Sequence, residues 1–272
     1  MALQSFSSSS GSGFARFARG LRSAWPRVLQ ATLPNLCALC GNLSQKTLCA
    51  SCDDAYWNEC RMRCTVCAAP LASAFRSEFT SGSMRRTTRT QRYVCADCVA
   101  TPPPFDATFA LADYRAPLDT LAVGLKFRAR LMLAHEFARR LARLVLDASH
   151  GAADLPDVIA PVPLARQRLV ERGYNQAWQI ARPLARLLNV CSDATLSRRV
   201  LHTVPQSRLD LDARRLNVGQ AFTVNASIDG LHVGIVDDVM TTGATLEALA
   251  RTLKAAGARR VTNFVALRTP KN

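Results

Sequence analysis

Four C-x-x-C pairs crowd into one stretch of this 272-residue chain: CALC (37–40), CASC (49–52), CTVC (64–67) and CADC (95–98). A C-x-x-C turn presents two thiolates to one tetrahedral zinc with little backbone strain, and two such turns close a structural site. Four turns make two sites, with Cys37, Cys40, Cys49, Cys52, Cys64, Cys67, Cys95 and Cys98 as ligands. A disulfide framework belongs to secreted chains. A thioredoxin-like redox role needs one such motif in an α/β setting, not four in a small Arg-rich segment. Pairing is either sequential, the first four thiols and then the last four, or crossed. The spacer between Cys67 and Cys95, with SEFTSGSMRRTTRTQR, reads as a loop. Cys60 and Cys191 stand alone and read as small buried or spectator thiols. Large apolar residues are few here, so metal binding is expected to supply much of the folding energy, about 10 kcal/mol per site in peptide systems. Such a module either docks on the remainder of the chain or binds a partner.

Beyond the cysteines, a hydrophobic content of 49% is ample for a buried core. Only four of the 35 Lys and Arg residues are lysines: Lys46, Lys126, Lys254 and Lys271. A formal charge of +15 with arginine dominant favours bidentate contacts to phosphates or carboxylates, against the blander reading of a solvated basic surface. The leading 34 residues are Ser-rich, spiced with Arg and free of acids, since the first carboxylate is Asp53. They resemble a transit peptide in composition but lack the continuous apolar core of a secretory signal, and they read as a disordered basic tail. No apolar run of about eighteen residues occurs, so the expected protein is soluble and cytoplasmic, with no membrane span.

After the boundary TPPPF, FDATFALADY reads as a strand pair or an extended lead-in. Leu131, Leu133, Phe137, Leu141, Leu144 and Val145 then form one helical stripe, with Arg139, Arg140 and Arg143 on its solvated face. DVIAPVPL (157–164) reads as a buried strand running into a loop, followed by a helix carrying Trp178, Ile180, Leu184 and Leu187 that Pro183 should kink or divide. The Arg-rich connection over 195–222 reads as a lid or binding loop, helical only in pieces such as Asp210 to Leu216. HVGIVDDV is a strand, TGATLEALARTLKAAG a helix ended by Gly257, and RVTNFVAL a further strand. The alternation predicts an α/β fold with a parallel sheet covered on both faces.

In such sheets the ligand crevice lies beyond the carboxyl ends of the strands, where IVDDVMTTGAT (235–245) falls. The loop through Thr241, Thr242 and Gly243 turns into a helix, so its free amides and the positive helix end face one point, as a phosphate requires. Carboxylates accept well from vicinal hydroxyls. A ribose with its 5-phosphate in the threonine loop would set its 2- and 3-hydroxyls near Asp237 and Asp238. A capping acid before a Thr-rich turn is the blander account, and it explains one acid rather than both.

That string resembles the phosphoribosyl pyrophosphate (PRPP) signature of the type I phosphoribosyltransferases. The wider chain is similar to one branch of them, the ComF family of competence-associated proteins, which includes proteins named for gluconate metabolism. The matching stretches are the four C-x-x-C pairs, LKFRARLMLA (125–134), PVPLARQRLVERGYNQA (161–177), TVPQSRLDLDARRLNVGQAF (203–222) and the PRPP loop. The resemblance implies a parallel-sheet phosphoribosyltransferase fold over 105–270, preceded by a double zinc ribbon over 35–100, and magnesium used with PRPP. It implies that Asp237 and Asp238 bind the ribose hydroxyls, and that Thr241, Thr242, Gly243, Ala244 and Thr245 hold the 5-phosphate. Arg166, Arg168 and Arg172 become candidates for the pyrophosphate leaving group, while Arg198, Arg199, Arg208, Arg214 and Arg215 fall where the enzymes carry a flexible lid. Lys126 reaches a phosphate or snorkels from a helix face.

Three functions are compatible with this reading: phosphoribosyl transfer to or from a base; PRPP or nucleotide binding without transfer; and handling of incoming single-stranded DNA beside a competence helicase or recombination protein. The first demands turnover with magnesium, the second binding alone, the third salt-dependent DNA affinity. No interleaved Arg-aromatic run is visible to provide a stacking platform.

Overall fold

The structure is a computed structural model and describes residues 35–57, 62–71, 93–149, 151, 154–200 and 221–270. The leading tail, Cys60, Arg208, Arg214, Arg215 and the expected helical piece around Asp210 to Leu216 lie outside the described residues. The chain divides into two compact units, Met1–Asp53 and Asp54–Asn272.

In the first unit, β1 (Asn35–Leu36) pairs antiparallel with β2 (Leu43–Ser44). The turn between them is closed by Cys37 N donating to Asn42 O at 2.7 Å, with Gly41 at φ +76. Helix α1 (Ala50–Tyr56) begins in this unit and carries Cys52.

The second unit holds α2 (Ala96–Ala100), β3 (Ala107–Asp113), α3 (Asp119–Phe127), α4 (Met132–Ala148), β4 (Val158–Pro161), α5 (Arg166–Arg172) and α6 (Gln176–Leu188). It continues with β5 (Cys191–Ser192), β6 (Ser197–Arg199), β7 (Phe222–Val224), β8 (His232–Met240), α7 (Ala244–Ala255) and β9 (Arg260–Arg268). Five strands form one parallel sheet in the order β3-β9-β8-β4-β5, as the alternation predicts. The stretch FDATFALADY supplies one strand of it rather than a strand pair.

Two helices depart from their expected faces. Leu133, Phe137, Leu141 and Val145 are buried in α4, but Leu131 and Leu144 are exposed, 41% and 36%, because the buried face turns through Ala134, Ala138 and Ala142. Arg140 leaves the solvated side: its guanidinium lies 4.7 Å from the centre of the Trp57 ring, and its Nε donates to Glu136 at 2.6 Å. In α6 the buried face is Ala177, Ile180, Ala181, Leu184, Ala185 and Leu188, and Leu187 is exposed. Pro183 does not divide the helix, which runs unbroken from Gln176 to Leu188. Proline removes one backbone bond, whereas each fully buried Ile or Leu on that face is worth about 1.5 to 3 kcal/mol. Asn175 caps the start, its side chain accepting from Ala177 N (2.9 Å) and Trp178 N (3.4 Å).

Ser197–Arg199 pairs with Phe222–Val224 in a small antiparallel ribbon, and Arg199 lies over the Phe222 ring at 5.7 Å. No described helix is long and apolar enough to cross a membrane.

Candidate functional site

Strand β8 lies between β4 and β9 and is buried without interruption from His232 to Val236 before the chain reaches two acids near its carboxyl end. Successive strand residues point to opposite faces, so Asp237 and Asp238 diverge. Each carboxylate accepts from the next amide: Asp237 Oδ1 from Asp238 N and Asp238 Oδ1 from Val239 N, both at 2.9 Å. Asp238 is buried, and Lys126 from α3 brings its Nζ to 3.1 Å from Oδ2. That contact lacks hydrogen-bond geometry, so Oδ2 is a buried acceptor with no hydrogen-bond donor. Burial, and then the neighbouring Asp238 charge, push the Asp237 carboxyl well above the usual carboxylate range. Arriving donors or cations would relieve Asp237.

Past Met240 the chain turns through Thr241, Thr242 and Gly243 into α7. Gly243 adopts φ +95, and a Cβ there would lie 2.6 Å from Met240 Cε, so both backbone and space demand glycine. Thr241, Thr242, Ala244 and Thr245 are exposed, and Thr242 Oγ1 accepts from Ala244 N at 3.3 Å. First-turn amides have no intrahelical acceptor, so the turn offers an anion several donors at the positive end of a twelve-residue helix.

The stretch after β4 emerges beside this loop, because Pro161 pairs with Val236 and Val162 N donates to Val236 O at 2.9 Å. Arg166, Arg168 and Arg172, the candidates for pyrophosphate, lie on the short helix α5. RQRLVER is rich in helix formers, Gln167 bonds Glu171 one turn on at 3.0 Å, and Gly173 at φ +75 ends the helix. Arg166 and Arg168 are exposed. Arg172 bonds Gln176 at 3.1 Å and lies 5.3 Å from the Phe127 ring centre, while Tyr174 donates its hydroxyl to Leu125 O. Residues 125–127 and 172–174 are thereby tied together, and Lys126 is aimed at Asp238 rather than left to snorkel.

The cysteines fall into sequential sets, Cys37, Cys40, Cys49 and Cys52, then Cys64, Cys67, Cys95 and Cys98, which closes the crossed alternative. Within each set all four sulfurs lie within 4.8 Å of one another. Cys40 and Cys49 Sγ are 3.7 Å apart, Cys67 and Cys95 Sγ 3.6 Å. A zinc–sulfur bond of about 2.3 Å at tetrahedral angles separates sulfurs by about 3.8 Å, so both sets fit such an ion. Amides support them, Cys49 N donating to Cys37 Sγ and Cys95 N to Cys64 Sγ, each at 3.3 Å. The hydrogen bond from the Cys67 thiol, joined by backbone amides, outweighs burial and holds Cys64 down to about 4, whereas burial pushes Cys98 up to about 12. In the first set, burial raises Cys37, but amides of Cys40, Cys49 and Leu39 overcome it and bring the thiol to about 6; burial drives Cys52 to about 12. Four clustered thiols resist full ionisation, and a divalent cation at their centre removes that resistance. The lone Cys191 is exposed rather than buried.

Arg268, at the end of β9, is fully buried and bonds the carbonyls of both Cys67 and Met240. Asp113, at the end of β3, is paired with Arg63 at 2.8 Å. Neither carries a motif, and the one sequence signal is a charged residue at the carboxyl end of a strand whose preceding residues are apolar, FVAL before Arg268 and FALA before Asp113.

A parallel five-strand sheet with an acid pair and a Thr-Thr-Gly turn at one strand end, preceded by cysteine clusters of zinc-ribbon type, defines a phosphoribosyltransferase fold. The family profile described as "Phosphoribosyl transferase domain" matches residues 175–271, which include the acid pair and its turn. The "DNA utilization protein YhgH" of Salmonella typhimurium is 34% identical over 242 residues, spanning 88% of this chain and 99% of that protein. The "Competence protein F" of Haemophilus influenzae is 33% identical over 171 residues, 61% of this chain and 75% of that one. Among solved structures, a purine phosphoribosyltransferase from Pyrococcus horikoshii superposes with a TM-score of 0.31 at 19% identity, over 52% of this chain and 85% of that one. The chain belongs to the ComF-type phosphoribosyltransferase family.

Proposed function

We propose that this protein binds a ribose 5-phosphate ligand, PRPP in the first instance, and acts in competence-related DNA utilisation in the cytoplasm. The observation that carries the ligand assignment is the buried Asp238 Oδ2, which is ion-paired with Lys126 Nζ at 3.1 Å but accepts no hydrogen bond, one short turn before an exposed amide-rich loop. On this reading Asp237 and Asp238 accept from the ribose hydroxyls, and Thr241, Thr242, Gly243, Ala244 and Thr245 take the 5-phosphate. Arg166, Arg168 and Arg172 follow the neighbouring strand and are the candidates for pyrophosphate. The two acids are hard oxygen donors of the kind magnesium prefers, and magnesium would neutralise pyrophosphate charge. Zinc fills both cysteine sets, so residues 35–100 carry the metals and 105–270 the ligand loops.

The test is calorimetric titration of zinc-loaded protein with PRPP and magnesium, beside a variant with Asp237→Asn and Asp238→Asn. Saturable binding to the native protein alone supports the assignment, and no binding to either removes it. Adding candidate bases to the complex and assaying pyrophosphate release then separates an enzyme from a binding module.

We propose as a second activity the handling of single-stranded DNA with a competence helicase or recombination protein, in keeping with relatives named for DNA utilization and competence. An excess of 35 basic over 20 acidic residues agrees with it. Affinity for an oligonucleotide that falls steeply between 50 and 200 mM salt is the expected signature, on the order of a thousandfold for six phosphate contacts.

A further inference from the structure

Arg268 is 0% exposed, an expensive place for a guanidinium unless its donors are met, and its Nη2 has no hydrogen-bond partner among the described residues. Its Nε donates to the carbonyl of Cys67 at 3.1 Å. Its Nη1 faces Met240 O at 3.2 Å, Thr269 O at 2.6 Å and the carbonyl of Thr241. A single planar fork therefore joins a ligand residue of the second cysteine set to the first residue of the Thr-Thr-Gly turn. The backbone repeats the link, because Thr269 N donates to Met240 O at 2.9 Å and Met240 is the register partner of Arg268. A second strut runs beside it: Arg63, adjacent to Cys64, bonds Ala68 O at 3.1 Å and pairs with Asp113, the partner of Arg268 across β3 and β9. The knuckle is also stitched to the edge strand, with Thr108 N donating to Thr65 O at 3.1 Å.

We propose that Arg268 is a positioning residue that couples metal occupancy of the Cys64, Cys67, Cys95, Cys98 set to the shape of the Thr241–Thr245 loop. A loaded set fixes the Cys67 carbonyl, which fixes the guanidinium, which holds the Met240 and Thr241 carbonyls and so orients the amides that follow. When the knuckle loosens, Arg268 loses one acceptor and must redistribute its donors while still buried. The loop is what it redistributes against. Lysine cannot replace it, since a single ammonium does not span two separated acceptors as a rigid fork does. Coupling of this kind is reciprocal, so a ligand in the loop must also retain the metal. The identity of that ligand rests on the proposal above; the coupling itself does not.

Two measurements on the full zinc-loaded chain test it. The first is hydrogen exchange at amides 241–246 before and after zinc is stripped by a chelator, for the native protein and Arg268→Lys. Faster exchange there on stripping, with β8 still protected, is expected in the native protein; in Arg268→Lys the loop should exchange fast whether zinc is present or not. Unchanged exchange at 241–246 in the stripped native protein overturns the coupling, and this arm decides the matter even if Arg268→Lys fails to fold. The second is zinc release to a colorimetric chelator with and without ribose 5-phosphate, using Cys40→Ser to identify the phase that belongs to the second set. The expected result is slowing of that phase by roughly fivefold or more in the native background, and none in Arg268→Lys. Demonstrable ribose 5-phosphate binding with no effect on release overturns the proposal. Absence of binding removes the ligand assignment instead and leaves the exchange result to decide the coupling.

Discussion

Around the first cysteine set, Cys40 is exposed and the flanking Leu36 and Leu43 keep 63% and 71% of their surface in water. Around the second, Cys64 and Cys67 are 0% and 4% exposed and belong to one apolar cluster with Phe105, Ala110, Ile235 and Leu249. The same four-thiolate set thus sits beside exposed turns in one unit and forms part of a sheet's core in the other. A ligand motif specifies how a metal is held; the surroundings decide what depends on it. In the first unit the metal has little but its own turns to organise. In the second it shares a core with the strands that carry the candidate ligand site.

The largest effect should separate the two sets. Cys64→Ser in the full chain is expected to lower the unfolding free energy of the Asp54–Asn272 unit by on the order of 5 kcal/mol, measured by urea unfolding followed on sheet signals. Cys40→Ser should leave that transition unmoved and appear only as one equivalent of zinc lost. Equal losses from both variants would break the comparison.

Next in size is a pH effect confined to the second unit. His232 is buried between Leu155 O (3.0 Å) and Thr262 Oγ1 (2.8 Å), and desolvation lowers its imidazole from 6.5 to about 4. The unfolded chain therefore binds the proton first as pH falls. The contribution is whole above about pH 6.5 and is lost progressively down to about 4, amounting to about 3 kcal/mol. Unfolding free energies across that window should fall in the native protein and flatten in His232→Gln.

Gly243→Ala forces a Cβ into a left-handed conformation beside Met240 and is expected to destabilise by about 1 to 2 kcal/mol. Its loss of PRPP affinity, read by calorimetry, should exceed what that figure alone would produce, because the turn itself is distorted. The smallest effect has the opposite sign. Asp237→Asn keeps the acceptor for Asp238 N and removes a charge disfavoured by burial and by Asp238, so the unliganded protein should gain about 1 kcal/mol at pH 7. PRPP binding should meanwhile be lost; a variant less stable than the native chain would show that the acid is compensated in the free protein.

Much of this was legible before any fold was known. The acid pair, the Thr-Thr-Gly turn and the four C-x-x-C pairs are local patterns whose chemistry depends on neighbours in sequence, and the alternation of strands and helices follows from periodicity. The misreadings came where distant parts decide a residue's surroundings. Leu131, Leu144 and Leu187 fit a helical stripe but face water, because alanines complete the buried faces of α4 and α6. Arg140 fits a solvated face until Trp57 covers it. Arg166, Arg168 and Arg172 stand ahead of the helix that the apolar periodicity marks, yet their own residue types favour the short helix they form.

The sequence by itself determined the ligand types, their spacing and the order of elements, since those rest on covalent geometry and short-range hydrogen bonding. Tertiary structure alone decided that thiols pair sequentially, that Lys126 meets Asp238, and that Arg268 joins Cys67 to Thr241 across about 200 residues of chain. Contacts of that span are set by strand order and register, which bring the carboxyl ends of β3, β8 and β9 to one edge of the sheet.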